Sequence, residues 1–304
     1  ITSISQYSFY DCENLTEVSI PSSVKAIGYE AFHWCPNVGK VMIDGLESWC
    51  DIDFDNENSN PLQFGADLYI NGVKETQIKI PEGITVMKPY VFGRSWTNDE
   101  TKSVLTSIQL PDTVTSIGEN AFAYNHLQNI NIPNSVMTIG KEAFAGNDFS
   151  TIEVSENVNT INDGAFKDCK KLQKIKLPDA TQNLGSILFV NCIKLTEAEL
   201  PQGIENITEA MFAGCTSLTE FNVPKTVQVI GESAFSRCSN LANIKLPDQI
   251  YTIGDYAFYQ CQSLKAIQLP TELGSVGDST FMGCKALMEV VVPDKVTSIG
   301  KEAF

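Results

Sequence analysis

The residues best suited to chemistry in this 304-residue chain are its nine cysteines. A thiolate can hold a metal, close a disulfide or attack an electrophile. Eight of them, Cys12, Cys35, Cys169, Cys192, Cys215, Cys238, Cys261 and Cys284, each stand three residues after a phenylalanine. At two further places that spacing finds Asn125 and Asn147. Zinc sites want closely spaced cysteine pairs, and none exists. A column that accepts either Cys or Asn predicts an inward ladder, in which a small side chain serves the backbone at a corner. The expectation is buried free thiols. Cys50 stands off this register and is the one cysteine whose reactivity merits a test.

The acidic run Asp51-Ile52-Asp53-Phe54-Asp55-Asn56-Glu57 suggests calcium. An EF-hand loop needs Gly at its sixth place and Glu at its twelfth. Here those places hold Asn56 and Leu62, so a solvated loop is expected, with no metal and no cofactor. The two histidines, His33 and His126, lack a Ser, Cys or Asp partner at a motif spacing, and no G-x-S-x-G, H-E-x-x-H or phosphate loop occurs. The sequence predicts no catalytic residue and no enzyme. The net charge of −16 and pI near 4.5 argue against nucleic acid and against an anionic membrane surface. No apolar run approaches the ~18 residues needed to span a bilayer, so no membrane insertion is expected.

The positions of these residues follow from a repeat. Residues 213–235, AGCTSLTEFNVPKTVQVIGESAF, are restated three times to the end of the chain. The buried-looking Phe is the ruler: Phe9, Phe32, Phe92, Phe122, Phe144, Phe166, Phe189, Phe212, Phe235, Phe258, Phe281 and Phe304. Steps are of 22 or 23 residues, except Phe32–Phe92 and Phe92–Phe122. A proline lies eleven residues before most ruler positions and a glycine four before. Proline cannot donate to a strand ladder and ends a strand, and glycine marks a turn. Alternation such as Phe221 and Val223 before Pro224 predicts a strand, and Val227–Ile230 a second short one. The segment from Glu232 to Cys238 predicts a single helical or 3₁₀ turn. One such unit cannot offset the entropy of its own ordering, so units must stack into a right-handed solenoid with parallel strands.

The long step Phe32–Phe92 disturbs the array. Asn71-Gly72 between Leu68-Tyr69-Ile70 and Val73 signals a tight hairpin. Phe64 is a candidate displaced ruler position. The segment GRSWTNDETKS reads as a polar loop.

The repeat C-x-x-L-x-x-I-x-L-P-x-x-V-x-x-I-G-x-x-A-F resembles the BspA-type leucine-rich repeat. The insertion with Ser48-Trp49-Cys50, Asn60-Pro61-Leu62 and Asn71-Gly72 resembles one that recurs in that family. The fold expected is an α/β leucine-rich-repeat solenoid of 22–23-residue units with parallel strands and short helical turns. It is expected to form a single domain over residues 1–304, with an irregular insertion at 44–80 and a loop insertion at 93–103, cut from a longer protein. The resemblance implies a cell-surface or secreted location. It also implies an adhesin-like role toward a protein partner, such as a host extracellular-matrix or cell-surface protein, and it brings no catalytic residues. The chain is expected to act as a monomer. Two alternatives stand beside this reading, a structural spacer that presents other domains and a carbohydrate-binding module using exposed tryptophans. Candidate partner-binding residues are Trp34, Trp49, Tyr69 and Trp96, all in the irregular first third. The competing expectation is that each Trp plugs the core where stacking is disturbed. The exposed strand positions are small and polar and lack the Trp, Tyr and Arg that dominate binding hot spots.

Overall fold

The structure, a computed structural model, describes residues 1–95 and 105–304. They form two compact units, Ile1–Asp148 and Phe149–Phe304. Each is a parallel-strand solenoid, and the turns number about 13 in all.

In the C-terminal unit the segment before the proline forms the first strand of each turn. Thr151–Glu153, Lys174–Lys176 and Glu197–Glu199 pair in parallel, with Ile152, Ile175 and Ala198 in register. Glu220–Asn222 pairs likewise with Asn243–Lys245, and Ala266–Gln268 with Glu289–Val291. The central residue points inward and its neighbours outward, which is the two-residue period of a half-buried strand. After the proline a second strand follows, as in Asn206–Ile207, Val229–Ile230 and Thr252–Ile253.

The corner that holds the ruler Phe closes with i to i+3 bonds, as a 3₁₀ turn does. Ser236 N donates to Ser233 O at 3.0 Å and Cys238 N to Phe235 O at 3.1 Å. The turn cannot propagate, because Ser233 (φ 56°) and Arg237 (φ 60°) are left-handed on either side of Phe235. Glu30 and Trp34 flank Phe32 in the same way, and Tyr256 and Gln260 flank Phe258. Among the described residues the only helices are Leu46–Cys50 and the 3₁₀ segment Glu57–Ser59, both in the irregular segment. The ruler rings stack along the core, from Phe166–Phe189 at 6.0 Å between centroids to Phe281–Phe304 at 5.3 Å.

The glycine four residues before the ruler serves close approach between turns. A Cβ on Gly254 would lie 2.6 Å from Glu232 N and 2.8 Å from Gly231 C, both backbone atoms. The turn ending at Phe212 carries Thr208 there instead. Its strand Asn206–Ile207 does not pair with Asn183–Leu184 one turn earlier. Thr208 Oγ1 donates to Gly185 O at 2.7 Å, and an open cleft of about 480 Å³ lined by Asn162, Gln182, Asn183 and Asn206 appears. Thr252–Ile253 and Ser275–Val276 also lack ladder pairing but, with Gly277 in place, stay neighbours.

In the N-terminal unit the irregular segment contains a complete turn. Asp53–Phe54 pairs in parallel with Ala26–Ile27, and Asp67–Ile70 with Lys40–Ile43. The expected hairpin is present: Asp67–Ile70 pairs antiparallel with Val73–Glu75 across Asn71 (φ 50°) and Gly72 (φ 81°). Phe32 N donates to Asn58 O as Phe9 N donates to Ala31 O, which puts Ser59 in the ruler position and corrects the expectation for Phe64. The acidic run is also not a solvated loop. Ile52 and Phe54 are buried, and the run supplies the second strand of this turn.

Candidate functional site

The cysteine column does one job. Six of its thiols donate to the carbonyl of the ruler Phe one turn earlier: Cys35 to Phe9 at 2.9 Å, and Cys192 to Phe166, Cys215 to Phe189, Cys238 to Phe212, Cys261 to Phe235 and Cys284 to Phe258, all at 3.2 Å. Where asparagine replaces cysteine it makes the same bond, Asn125 Nδ2 to Phe92 O and Asn147 Nδ2 to Phe122 O, both at 2.9 Å. In the irregular turn Gln63 Nε2 reaches Phe32 O at 3.1 Å. None of the nine cysteines, all of them among the described residues, forms a disulfide. Burial pushes Cys238 up to about 12 and Cys284 to about 11, so neither supplies thiolate at neutral pH. Cys50 lies buried on the short helix and is likewise pushed up to about 12, which removes it as a reactive thiol.

Three carboxylates of the acidic run are taken by lysines and backbone. Asp51 meets Lys25 at 3.0 Å and Lys88 at 3.6 Å, Asp53 meets Lys88 at 2.7 Å, and Asp55 accepts from Tyr29 N at 3.0 Å. The hydrogen bond from Lys25 holds Asp51 below the usual carboxylate range, against a small opposing effect of burial. Among the described residues no group of three or more His, Cys, Asp or Glu is arranged to hold a metal. His126 Nδ1 lies 2.9 Å from Asp148 at the surface, without a nucleophile beside it.

The four candidate partner-binding residues separate. Trp49 is 1% exposed. Its Nε1 donates to Val91 O at 2.9 Å and its ring meets Phe54 edge-on at 5.3 Å. It plugs the core where the irregular turn begins, so it cannot touch a partner. Tyr69 is half-buried on the strand Asp67–Ile70, with Lys40 Nζ 5.8 Å from its ring centre. Trp96 lies outside the described residues. Trp34 is 58% exposed, two residues past Phe32, in left-handed backbone that bulky residues seldom adopt.

Trp34 does not stand alone. His33 contacts Trp34 at 5.3 Å and Tyr10 at 5.6 Å, and Tyr7 contacts Tyr10 at 5.7 Å and Tyr29 at 5.9 Å. Tyr7, Tyr10 and Tyr29 are 49%, 43% and 43% exposed. These rings form a continuous aromatic corner over two turns of the N-terminal unit. Sequence reasoning missed the three tyrosines. The available signal was their offset from the ruler, since they sit immediately around Phe9 and Phe32 in columns where tyrosine recurs only at Tyr90, Tyr256 and Tyr259.

Arg94 departs from the expected polar loop. It is 5% exposed, with Nε donating to Asn125 Oδ1 at 2.9 Å and Nη1 to Ala66 O at 3.1 Å. Burial pulls its pKa down to about 10, opposed by the charge of Asp67. It joins the irregular turn to the next by hydrogen bonds to backbone, as the cysteines do elsewhere.

Comparison with known proteins agrees with this architecture. The family profile described as BspA type Leucine rich repeat region matches six copies across residues 1–99, 100–219 and 205–304. The crystal structure of a leucine rich cell surface protein of Faecalibacterium prausnitzii A2-165 is 23% identical over 95% of this chain and 82% of that one, with a TM-score of 0.55. That of a leucine-rich repeat protein of Eubacterium ventriosum ATCC 27560 is 22% identical over 90% of this chain and 77% of that one, with a TM-score of 0.62. That of a leucine-rich repeat protein of Bacteroides ovatus ATCC 8483 is 24% identical over 99% and 78%, at 0.54. At these identities the likeness is one of fold. No curated protein matches the chain.

Proposed function

The chain belongs to the BspA-type leucine-rich repeat family, and on that premise we propose that it is a non-enzymatic, adhesin-like module that binds a protein partner at a cell surface or after secretion. The observation that carries the proposal is the aromatic corner around Trp34. A folded chain normally buries such rings, and Trp and Tyr are the residues on which protein interfaces concentrate their energy. Here they stand exposed on a scaffold whose inward polar and thiol groups are engaged in holding turns together. Proteins of this fold include one described as a cell surface protein, and among the described residues no helix is long and apolar enough to cross a membrane.

The test is capture of the whole chain on immobilised extracellular-matrix proteins. Trp34→Ala should lower capture at least about tenfold, the loss typical of a binding hot spot, while leaving the fold intact. Capture that is strong and indifferent to Trp34 would remove the corner from the proposal.

A second reading, the spacer, is favoured by the strand face. Some of its charges pair with one another, as Lys174 does with Glu197 at 2.6 Å and Lys40 with Glu17 at 3.9 Å. A face that satisfies itself offers little to a ligand. Absence of capture on any protein surface would favour the spacer.

A further inference from the structure

We infer that the aromatic corner takes a basic polypeptide segment, whose arginine and lysine side chains lie over the exposed rings while their charges meet the corner's carboxylates. The inference rests on the protein-interaction reading above and names the class of partner.

Charge is the first observation. Tyr7 N donates to Tyr29 O at 3.0 Å, and Tyr29 N to Asp55 Oδ2 at 3.0 Å, so three successive turns lie side by side here. They bring Asp11, Glu30, Asp55 and Glu57 to the corner. The stretches that build it, residues 5–14, 28–37 and 55–58, contain no Lys or Arg. Elsewhere in this unit several acids find lysines, Asp51 with Lys25, Asp53 with Lys88, Asp67 with Lys74 and Glu119 with Lys141. Among the described residues none of the four corner carboxylates is paired with a Lys or Arg. The bond and charge of Glu30 push the Tyr29 phenol up from its ordinary value, with Glu57 adding to the effect. The corner is therefore a place of unrelieved negative potential.

Ring geometry is the second. Tyr7–Tyr10, Tyr7–Tyr29 and His33–Trp34 meet at 75°, 81° and 83° between planes. In such an edge-to-face pair one ring offers only its edge, so that contact leaves both its faces free. An aromatic face is the electron-rich side, and a guanidinium or ammonium group is attracted to it, most strongly on Trp. An aromatic surface alone would suit a sugar as well as a peptide. Rings interleaved with carboxylates that no Lys or Arg neutralises favour a cation that is flat enough to stack, which is arginine above all. The patch runs over successive turns, more than one ion covers, and so fits a chain bearing several charges.

The experiment titrates the whole chain with a capped tetra-arginine peptide, followed by calorimetry and tryptophan emission, with tetraglutamate and the neutral sugar cellotetraose in parallel. Tetra-arginine should bind, perturb the emission of Trp34 and weaken as salt rises. Trp34→Ala, and separately Glu30→Gln with Glu57→Gln, should each weaken binding about tenfold with circular dichroism and melting unchanged. Glu205→Gln with Glu220→Gln, exposed acids of the other unit, should have no effect. The inference is overturned if tetra-arginine binds all variants alike, which would make the attraction general acidity, or if cellotetraose binds at Trp34 and tetra-arginine does not. If tetra-arginine fails while capture on matrix protein still depends on Trp34, the partner class falls and the protein-interaction reading stands.

Discussion

Trp34 and Arg237 occupy the same place in their turns. Each follows its buried Phe by two residues, each is left-handed (φ 57° and 60°), and each is exposed. In the C-terminal unit that place holds Arg237, Gln260 and Gly283, and the neighbouring columns carry one tyrosine pair, Tyr256–Tyr259, but no tryptophan. In the N-terminal unit they hold Trp34 beside Tyr10 and Tyr29, and the surface is aromatic. The backbone is common to both and the inward columns are common to both. What differs is carried by the columns on either side of the ruler. The lesson is that this fold fixes its core so tightly that its outward corners are free to vary, and function is read from what they carry.

That division can be broken at several points. The largest effect is expected in the core. Phe235→Ala should cost about 3–5 kcal/mol, because the stacked rings on either side cannot close over the cavity. Urea unfolding of the variant measures it, and a loss under about 1 kcal/mol would mean that the inward columns are less binding than supposed. Next, Gly254→Ala should cost roughly 1–3 kcal/mol, since its Cβ meets immovable backbone of the preceding turn. Amide exchange should show the damage as faster opening of the ladder between Val229–Ile230 and Thr252–Ile253.

The thiols give a pH dependence of known sign. Their folded values are raised from 9.0, to about 12 for Cys50 and Cys238 and about 11 for Cys284. The unfolded chain therefore ionises first. Their stabilisation is complete below about pH 9 and is lost above it, by about 1.4 kcal/mol per pH unit for each buried thiol until the folded value is reached. Denaturation midpoints between about pH 8 and 11 would check this, and a midpoint that rises with pH would contradict it. Cys238→Ser should cost only about 1 kcal/mol, since a hydroxyl can donate the same bond, and should make the alkaline loss shallower. The smallest effect on stability belongs to the residue given the largest role in binding. Trp34→Ala should move the midpoint by less than about 0.5 kcal/mol, as an exposed substitution does. A larger loss would make Trp34 a packing residue and end the comparison.

The regular columns were legible in the sequence because each inward place accepts a narrow set of residues. Phe at every corner, Cys or Asn three later and Pro at the strand end report their own burial through repetition. The ladder role of Asn125, which stands where cysteine is the rule, could be read in the same way. The irregular turn was not legible, because polar residues do its packing. Ser59 stands where Phe is expected, Gln63 makes the cysteine's bond, and Arg94 is buried among carbonyls. Composition makes these residues look solvent-facing, and only the register of the neighbouring turns assigns them inward. The acidic run misled for a related reason, since its buried Ile52 and Phe54 alternate with aspartates that lysines then neutralise. Among the tryptophans, no sequence feature separated Trp49 from Trp34. One falls on the inner side of a short helix and the other on a left-handed corner residue.

The thiol ladder has a direction. Cys284 reaches back to Phe258, Cys261 to Phe235 and Cys238 to Phe212, while the backbone of the same corner runs the other way, Phe235 N donating to Ala257 O. A thiol on a newly wound turn therefore finds its acceptor already in place on the turn before. Under tension the sense reverses. A pull on the C-terminal unit loads its last turn first, and each turn released frees 23 residues, as the register of Phe221 with Ile244 requires. That is roughly 80 Å of extended chain for each event. Single-molecule stretching should record a staircase of even steps that rewinds when the load drops, and one abrupt rupture of the whole unit would contradict it. In mechanical terms the array is a ratcheted spring.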